Sequence, residues 1–419
     1  MRFNTLAEWL AWQETLHPNE IDLGLERVAK VLRRLQLQSP SFTVTTVAGT
    51  NGKGSSVAML DAILRAAGHS VGCYTSPHLL RYNERIRING REIDDASLCA
   101  AFERVDQARG DVSLTYFEFG TLAAIDILQR HAVDIAVLEV GLGGRLDAVN
   151  VLEADVALIT AIDVDHVSWL GSDRETIARE KAGILRSGHP AVCSDPHPPQ
   201  SLLAYAQQYA VPLLLTKDRY EELNDQQWCW LTQDHEAIEL PLPGLQGDFQ
   251  LANAAGVLGV LEQLTDRFPV TTAAIQSGLR DAKLAGRFQV IPGQPLRIFD
   301  VAHNPQSMQS LVQNLQHQAC AGRTRMVVSM LMDKDIKAAL SQLKPLVHDW
   351  YLAPLKVSRA ASIQQLQAAL GEIEASVSCQ YFPDVATAYQ QALKDAQSQD
   401  RIVVAGSFYT VADALAQAV

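Results

Sequence analysis

The 419-residue chain lacks a run of ~18 apolar residues, a low-complexity tract and an internal repeat at solenoid periods. It has no excess of basic charge, because its formal net charge is −12. Broad binding to nucleic-acid phosphates is therefore not expected. The six cysteines stand singly without metal-knuckle spacing, as free thiols in a reducing compartment would. These absences predict a cytoplasmic protein with no membrane or nucleic-acid partner, and a monomer is the default expectation.

What the sequence does contain is the composition of an enzyme, with 47% hydrophobic and 20% charged residues. Its length is enough for two or three domains that each bury a core. The first twenty residues place apolar side chains at helical spacing with acidic interruptions, which differs from the apolar core of a signal peptide. The composition and the N-terminal pattern both favour an intracellular enzyme.

Short β-branched runs alternate with amphipathic segments along the chain, which is the pattern of parallel sheets covered by helices. A first series predicts strands over 42–49, 70–75, 133–141, 155–162 and 190–194. A second series starts at 296 and has about five strands, the fourth of them over 376–382. The Pro- and Gly-bearing segment 285–295 separates the two series. We therefore predict an α/β protein with a P-loop-containing, doubly wound domain over 1–288 and a smaller C-terminal Rossmann-like α/β domain over 289–419.

The stretch VTTVAGTNGKGSSVAML, residues 44–60, is similar to a phosphate-binding loop but departs from the common pattern. That pattern has a Gly ahead of the Gly-Lys pair and a Ser or Thr directly after the Lys. Here Val47 replaces the first Gly, and Gly54 separates Lys53 from Ser55. A strand is predicted before the loop, and a helix after it has three apolar residues on one face: Val57, Leu60 and Leu64. Such a corner directs backbone N–H groups and the helix dipole at phosphate. Lys53 is then the cation for the phosphates, and a plain glycine-rich turn is the alternative.

Acidic and imidazole side chains follow two of the predicted strands. Glu139 ends one strand and His166 follows the next. Ligands of doubly wound sheets gather at the carboxyl ends of strands, so both side chains should lie near the loop. A carboxylate, an imidazole and a hydroxyl could hold Mg²⁺. The alternatives are that Glu139 pairs with Arg145 and that His166 caps a turn.

Lys181 is predicted to point into the protein. Ser172 and Glu175 have the spacing of a capping box that starts a helix. Four residues then share one helical face: Ile177, Lys181, Ile184 and Leu185. Burial depresses the pKa of a lysine, and a neutral amine can capture CO₂ as a carbamate. A lysine whose ammonium reaches the surface is the alternative.

Eight motifs in order resemble the folylpolyglutamate synthase family: VAGTNGKGSS, TSPHLLRYNERI, TYFEFGTLAA, LEVGLGGRLDAVN, DHVSWLG, REKAGI, GRFQ and DVAHNP. The match extends from residues 21–28 to residues 406–413. This family is related to the amide-forming ligases of bacterial cell-wall synthesis, which share the short phosphate loop. The resemblance implies an ATP-dependent ligase that adds L-glutamate to dihydropteroate and to reduced folates through an acyl phosphate.

The resemblance also implies roles for individual residues. The ATP phosphates are held by Thr50, Asn51, Gly52, Lys53, Gly54 and Ser55. Further nucleotide contacts come from Asn253, Arg287 and Asp300, with His303 nearby. The Mg²⁺ ligands are Ser76, Glu139 and His166, and Lys181 matches the family's carbamoylated lysine. The catalytic set is Lys53, Lys181 and His166. The dihydropteroate pocket is lined by Asp22, Thr115, Tyr116, Phe117, Glu118, Leu146, Asp147 and Ala148.

The cofactors implied are ATP and Mg²⁺, with room for K⁺ or another monovalent cation. One departure concerns GLQGDFQLANAA, where many relatives carry a His-Gln pair before the Asn, which puts contacts from Asp248 and Phe249 in doubt. Two other functions stay open. One is a Mur-type amide ligase acting on another carboxylic acid, for which a further domain ahead of residue 44 would be expected. The other is a switch-type nucleotide-binding module, which needs neither a second α/β domain nor a pteridine pocket.

Overall fold

The structure is a computed structural model that describes residues 2–224, 226–373 and 378–418. The chain divides into two compact units, the first made of residues 1–244 and 250–283 and the second of residues 245–249 and 284–419. The predicted boundary between residues 288 and 289 stays a prediction. In the described part of the chain, no helix combines the length and the hydropathy that a membrane span requires.

The first unit contains a large sheet and a small one. Its strands are β1 (Thr43–Ala48), β2 (Val71–Tyr74), β3 (Ile86–Ile88), β4 (Arg91–Glu92), β5 (Ile135–Glu139), β6 (Val156–Ile159), β7 (Ala191–Cys193), β8 (Leu213–Leu215), β9 (Tyr220–Asn224), β10 (Gln227–Leu231) and β11 (Ala237–Pro241). The large sheet has the order β4-β3-β2-β5-β1-β6-β7-β8, and the small one has the order β11-β10-β9. The six strands from β2 to β8 in that order are parallel, whereas β3 and β4 are antiparallel.

Ten helices of the first unit have described bounds: α1 (Leu6–Leu16), α2 (Glu26–Arg34), α3 (Lys53–Ala66), α4 (Asp95–Arg109), α5 (Tyr116–Arg130), α6 (Val167–Leu170), α7 (Arg174–Ala182), α8 (Gln200–Gln208), α9 (Phe249–Leu264) and α10 (Thr272–Asp281). The five predicted strands of this unit are confirmed as β1, β2, β5, β6 and β7. Helix α3 is buried on all sides from Gly54 to Leu64, whereas the sequence pattern predicted one apolar face. The reason is that α10 covers it so closely that a Cβ on Gly278 would meet the backbone of Ile63.

The start of α7 differs from the predicted capping box. Asp173, not Ser172, is the N-cap residue, and its carboxylate accepts a hydrogen bond from the Thr176 N–H. The Glu175 carboxylate is used elsewhere, because it accepts hydrogen bonds from the backbone N–H groups of Gln200 and Ser201. A neighbouring helix therefore takes the acidic side chain that local spacing assigned to a cap.

The second unit is built on a six-stranded sheet of order β12-β13-β17-β14-β15-β16. Its strands are β12 (Gln289–Ile291), β13 (Leu296–Phe299), β14 (Thr324–Val328), β15 (Asp349–Leu352), β16 (Ser378–Tyr381) and β17 (Arg401–Ala405). Its helices are α11 (Pro305–His317), α12 (Ile336–Leu343), α13 (Ile363–Ile373), α14 (Val385–Asp395) and α15 (Phe408–Leu415). All strands but β12 run parallel. The predicted strand over 376–382 is observed as β16, although residues 376 and 377 lie outside the described residues.

Each unit has its own apolar core. In the first, β1, β5 and β6 are buried along their whole length and pack with residues of α4 and α5. In the second, the core includes Ile298, Met326, Leu352 and Val403 from four adjacent strands. Strands buried on both faces suit parallel sheets covered by helices, so the doubly wound expectation agrees with the observed topology. In the first sheet β1 lies between β5 and β6, where the chain changes its direction of winding, which is where such sheets bind ligands.

Candidate active site

The loop between β1 and α3 forms a tight corner at this position. Gly52 is the N-cap residue of α3 with a φ of 93°, which favours glycine. The Lys53 ammonium donates to the carbonyls of Gly49 (3.0 Å) and Thr50 (3.1 Å). Helix α3 begins at Lys53, so its first N–H groups face the ligand side of the corner. This arrangement provides the dipole and the cation that a phosphate site requires.

The segment after β6 holds the loop in place. The Thr50 N–H donates to the Ala161 carbonyl (2.7 Å), and the Thr50 hydroxyl donates to the Asp163 carbonyl (2.8 Å). The Thr160 hydroxyl donates to the Asn51 carbonyl (2.8 Å). The backbone of the loop is thereby fixed before any ligand binds, which reduces the entropy that binding costs.

Helix α9 adds two amide side chains to the loop. A Cβ on Gly52 would meet the Asn253 side chain, so this glycine permits the close approach. The Asn253 amide donates to the Gln250 oxygen (3.0 Å), and the Gln250 amide donates to the Ser55 hydroxyl (3.3 Å). Sequence reasoning missed Gln250, although its position one helical turn before Asn253 was a usable signal.

The two residues whose contacts were in doubt lie outside this group. Phe249 is the first residue of α9, and the Asp248 carboxylate is 3.9 Å from the His317 imidazole, with both side chains exposed. The amide contacts to the loop come from Gln250 instead.

Ser76 and Glu139 lie together at the carboxyl ends of β2 and β5. The Ser76 N–H donates to Glu139 Oε2 (3.3 Å), and Glu139 is 5% exposed. Arg145, the alternative partner of Glu139, pairs with Glu180 at 3.0 Å.

His166 precedes α6 with a φ of 52° and makes no side-chain cap. Among the residues that the structure describes, no cluster of three or more His, Cys, Asp or Glu side chains could hold a metal. A hard cation at Glu139 would thus need other oxygen ligands, such as the Ser76 hydroxyl and phosphate oxygens.

Lys181 is buried, at 3% exposure, as the sequence pattern predicted. Burial is the largest cause that lowers its pKa, to about 7, and repulsion from Lys53 is the next largest. The charges of Asp165 and Asp147 act to raise this pKa. Next to Lys181 in the chain, the Glu180 carbonyl accepts a hydrogen bond from the Arg145 N–H (2.8 Å). A substantial fraction of this amine is therefore neutral near neutral pH.

Asp147 is another buried group of this unit whose pKa is shifted. Burial raises its pKa to about 6, against hydrogen bonds from the backbone N–H groups of Leu142, Val149 and Gly141 and against the charge of Lys53. The influence of Lys53 on both Asp147 and Lys181 indicates that the three charges share one region. Perturbed titratable groups near a phosphate loop are typical of functional sites.

The TYFE segment begins α5 with a capping box between Thr115 and Glu118. The Phe117 ring stacks on Tyr74 (5.9 Å between ring centroids) and lies where a Cβ on Gly141 would stand. Phe117 is only partly buried, whereas Phe119 belongs to the core. The Phe117 ring packs against the apolar core and keeps part of its surface exposed.

Asp22 and Glu118 are connected through Arg27, which sequence reasoning did not single out. The Arg27 guanidinium is 2.9 Å from the Asp22 carboxylate and 3.0 Å from the Glu118 carboxylate. In the LDA segment, Asp147 and Ala148 are buried and Leu146 is partly buried.

Arg287, Asp300 and His303 belong to the second unit. Arg287 lies over the Phe408 ring at 5.1 Å. The Asp300 carboxylate accepts hydrogen bonds from the N–H groups of Phe288 and Ala302 (2.8 Å each), and burial raises its pKa. Phe288 has a φ of 41°, which a bulky residue rarely adopts. Asn304 is the N-cap residue of α11. Strained backbone of this kind is found at functional sites.

Comparison with known proteins defines the class. The family described as Mur ligase middle domain matches residues 47–261, and the family described as Mur ligase, glutamate ligase domain matches residues 286–408. The fold and the phosphate loop are thus those of the Mur ligases. Dihydrofolate synthase/folylpolyglutamate synthase of Escherichia coli (strain K12) is 44% identical over 97% of this chain and 94% of its own length. The chain belongs to the dihydrofolate synthase/folylpolyglutamate synthase family.

Solved structures agree with this assignment. E. coli FolC in complex with DHPP and ADP has a TM-score of 0.92 at 43% identity, covering 99% of this chain and 97% of that chain. A bifunctional folylpolyglutamate synthase/dihydrofolate synthase with Mn, AMPPNP and L-glutamate bound has a TM-score of 0.90 at 47% identity, covering 99% and 98%. These similarities confirm the predicted family and the two-domain α/β fold.

Proposed function

We propose that this chain is an ATP-dependent ligase that adds L-glutamate to dihydropteroate, giving dihydrofolate, and to reduced folylglutamates, extending a polyglutamate chain. The observation that carries the proposal is the loop from Gly49 to Ser55, fixed at the carboxyl end of β1 in a chain of this family. Support also comes from the relatives solved with ADP and DHPP or with AMPPNP and L-glutamate.

The reaction requires activation, because a carboxylate is a poor acyl donor. The γ-phosphoryl group of ATP moves to a carboxylate oxygen of the acceptor, which gives an acyl phosphate and ADP. The glutamate amine then attacks the acyl carbon, and phosphate leaves with the electron pair of the C–O bond as the amine loses a proton. Lys53 and the N-terminus of α3 stabilise the charge on the transferred phosphoryl group.

Ser76, Glu139 and His166 would hold Mg²⁺ in this proposal. The hydroxyl and the carboxylate are the hard oxygen donors that Mg²⁺ prefers, and the first two residues are already in contact. The ion, when bound, offsets negative charge on the phosphates. K⁺ or another monovalent cation belongs to the same proposal, and replacement of K⁺ by a bulky organic cation during turnover tests that part.

Lys181 would carry a carbamate. Its pKa of about 7 supports this proposal, because only the neutral amine reacts with CO₂. The nitrogen lone pair forms the N–C bond, one C=O bond opens to give a negatively charged oxygen, and the nitrogen releases a proton to water. The product replaces a buried positive charge near Lys53 with a negative one, which reverses the repulsion between the two lysines.

The acceptor would lie against Asp22, the TYFE segment from Thr115 to Glu118, and the LDA segment from Leu146 to Ala148. The partly buried Phe117 ring offers a face for a flat heterocycle, and Asp147 offers a buried carboxyl. In the second unit, Arg287, Asp300 and His303 would contact the nucleotide, as Asn253 would in the first. The chain has one glycine-lysine phosphate loop, which supports a single ATP site.

The test is phosphate release from ATP by the purified protein with Mg²⁺ and L-glutamate. Dihydropteroate should stimulate release and be converted to dihydrofolate, which mass spectrometry detects. Uridine-linked carboxylic acids serve as the control acceptors, because a Mur-type ligase acting on another acid would use them instead. Stimulation by a uridine-linked acid and not by dihydropteroate would contradict the proposal.

A further inference from the structure

Arg27, near the start of α2, uses all three guanidinium nitrogens inside the fold. Nε donates to Glu118 Oε1 (3.2 Å), and Nη2 is 3.0 Å from the same oxygen. Nη1 is 2.9 Å from Asp22 Oδ2, and Nη2 also donates to the Asp22 carbonyl (2.6 Å). Because the N–H donors of Arg27 are used in these contacts, its guanidinium can affect a ligand only through the groups to which it is bound.

The two carboxylates that Arg27 links differ in their surroundings. Glu118 is 3% exposed, and its other oxygen accepts the Thr115 N–H at 2.7 Å. Both oxygens of Glu118 are thus used inside the fold. The Asp22 side chain is 35% exposed, and His17 Nε2 is 3.4 Å from Oδ2. Of the two carboxylates, Asp22 is therefore the one that can also meet a ligand.

The segment around Asp22 has no regular structure of its own. Residues 21–24 form neither helix nor strand between α1 and α2. The contacts of Arg27 with the side chain and the carbonyl of Asp22 fix that backbone against α5. Thr115, Glu118, Arg27 and Asp22 form a continuous chain of hydrogen bonds and ion pairs from the N-terminus of α5 to a partly exposed carboxylate.

We infer that Arg27 is a positioning residue for acceptor binding, which sets the place of the Asp22 carboxylate by anchoring it to Glu118. This inference rests on the function proposed above, because it takes Asp22 as a wall of the pteridine pocket. In this chain of contacts, Glu118 is the buried anchor, and Asp22 is the residue that faces the ligand. The occupant is a pteridine ring, whose amino and ring N–H groups are donors for a carboxylate.

The experiment measures the dissociation constant of dihydropteroate by calorimetry and the KM values for dihydropteroate and ATP. Arg27→Gln should raise the Kd and the KM for dihydropteroate roughly tenfold or more, since a buried charge partner is removed. The KM for ATP should stay unchanged. Arg27→Lys should recover part of the loss, because one ammonium can hold Asp22 but cannot also bridge to Glu118 with fork geometry.

A double-mutant cycle separates positioning from a general loss of stability. If Arg27 acts through Asp22, the pair Arg27→Gln and Asp22→Asn should weaken binding no more than the worse single variant. Arg34→Gln is the matched control on the same helix, because Arg34 donates to the carbonyls of Ala108 and Arg109 far along the chain from Asp22. This control should leave both KM values unchanged.

Three outcomes overturn the inference: additive effects of the two substitutions, equal rises in the KM values for ATP and dihydropteroate, or an unchanged Kd in Arg27→Gln. The proposed function fails differently. If the wild-type protein binds dihydropteroate without converting it, the function is wrong, and the Kd values of the variants still decide the role of Arg27. If the wild-type protein does not bind dihydropteroate, both are wrong.

Discussion

Two sets of buried charges, one in each unit, are arranged in opposite ways. In the first unit, Lys181 and Asp147 lie near the carboxyl ends of β5 and β6, and burial moves the pKa of each toward neutrality, to about 7 and about 6. In the second unit, Arg325 lies near the amino ends of β14 and β15, where it pairs with Asp349 and Asp400 at 3.0 Å each. Burial acts to raise the pKa of Asp400, yet its hydrogen bonds lower it overall.

This difference distinguishes buried charged groups that serve catalysis from buried charged groups that stabilise the fold. Direct pairing holds the second-unit charges in their ordinary protonation states, as in a structural ion network. The first-unit groups have no such balance, because Lys53 repels Lys181 and burial disfavours both charged forms. Titratable groups of that kind cluster at functional sites. Substitutions in the two regions should therefore affect different measurements.

Lys53→Ala should have the largest effect on turnover. Loss of the cation for the phosphoryl group should raise the barrier by ~3 kcal/mol or more, roughly a hundredfold in rate. The melting temperature should not fall, because Lys53 contacts loop carbonyls and not the apolar core. Lys217→Ala, at an exposed position, is the control. Near-normal activity of Lys53→Ala would show that the loop does not hold the reacting phosphate.

Arg325→Met should lower stability and spare catalysis. In this variant, Asp349 still pairs with Arg323, and Asp400 still accepts hydrogen bonds from backbone N–H groups. The free energy of unfolding should therefore fall by about 2–3 kcal/mol. Urea unfolding measures it. Arg323→Met is the matched control, because that side chain is 51% exposed, and its loss should cost less stability than the loss of Arg325. A stable but inactive Arg325→Met would break the distinction between the two regions.

The rate should also depend on pH through Lys181. With a pKa of about 7, the amine is roughly nine-tenths neutral at pH 8 and about one-tenth neutral at pH 6. Carbamate occupancy, and with it kcat, should therefore rise with pH through this range when bicarbonate is constant. Native mass spectrometry of the protein should show the added carboxylate. Lys181→Ala should lose activity, and small carboxylic acids should restore part of it. An unmodified amine in an active, metal-loaded enzyme would disprove the carbamate.

The smallest effect is expected at the acceptor pocket. Phe117→Ala or Asp147→Asn should change the ratio of dihydrofolate synthesis to polyglutamate extension by a few-fold, roughly 1 kcal/mol. The reason is that these side chains are proposed to contact the acceptor and not the phosphates. Steady-state rates with each acceptor measure the ratio. Phe119→Leu is the control, because the Phe119 ring belongs to the core. Equal loss of both activities would place Phe117 and Asp147 in the shared chemistry instead.

The sequence predicted the two α/β series because parallel strands buried on both faces produce apolar runs, and such runs do not depend on distant contacts. It did not predict the three-stranded sheet β9-β10-β11. In β9, Glu221 to Asn224 are all exposed, so this strand has no apolar run of the kind that identified the others. The observed cap at Asp173 and the pairing of Arg145 with Glu180 also depend on neighbours that local spacing cannot identify.

The site residues also differ in how readily the sequence indicates them. Lys53, Glu139 and Lys181 could be proposed as site residues because strand ends and helical period place them, and the structure buries Lys181 as expected. Gln250 and Arg27 could not be identified with equal ease, because each acts through another side chain. The Gln250 amide reaches Ser55 across 195 residues of sequence, and Arg27 reaches Glu118 across 91. Contacts between such distant positions become visible only in the folded chain.

The central claim is that one active site carries both ligations, and Glu139→Ala tests it most directly. The measurement is the steady-state rate of dihydrofolate synthesis and of polyglutamate extension, compared with wild type under identical Mg²⁺ and ATP. Both rates should fall in parallel, because both reactions would share the metal that Glu139 is proposed to hold. A variant that keeps one activity above ~10% of wild type while losing the other would contradict the claim, since a shared ligand cannot cost several kcal/mol in only one reaction.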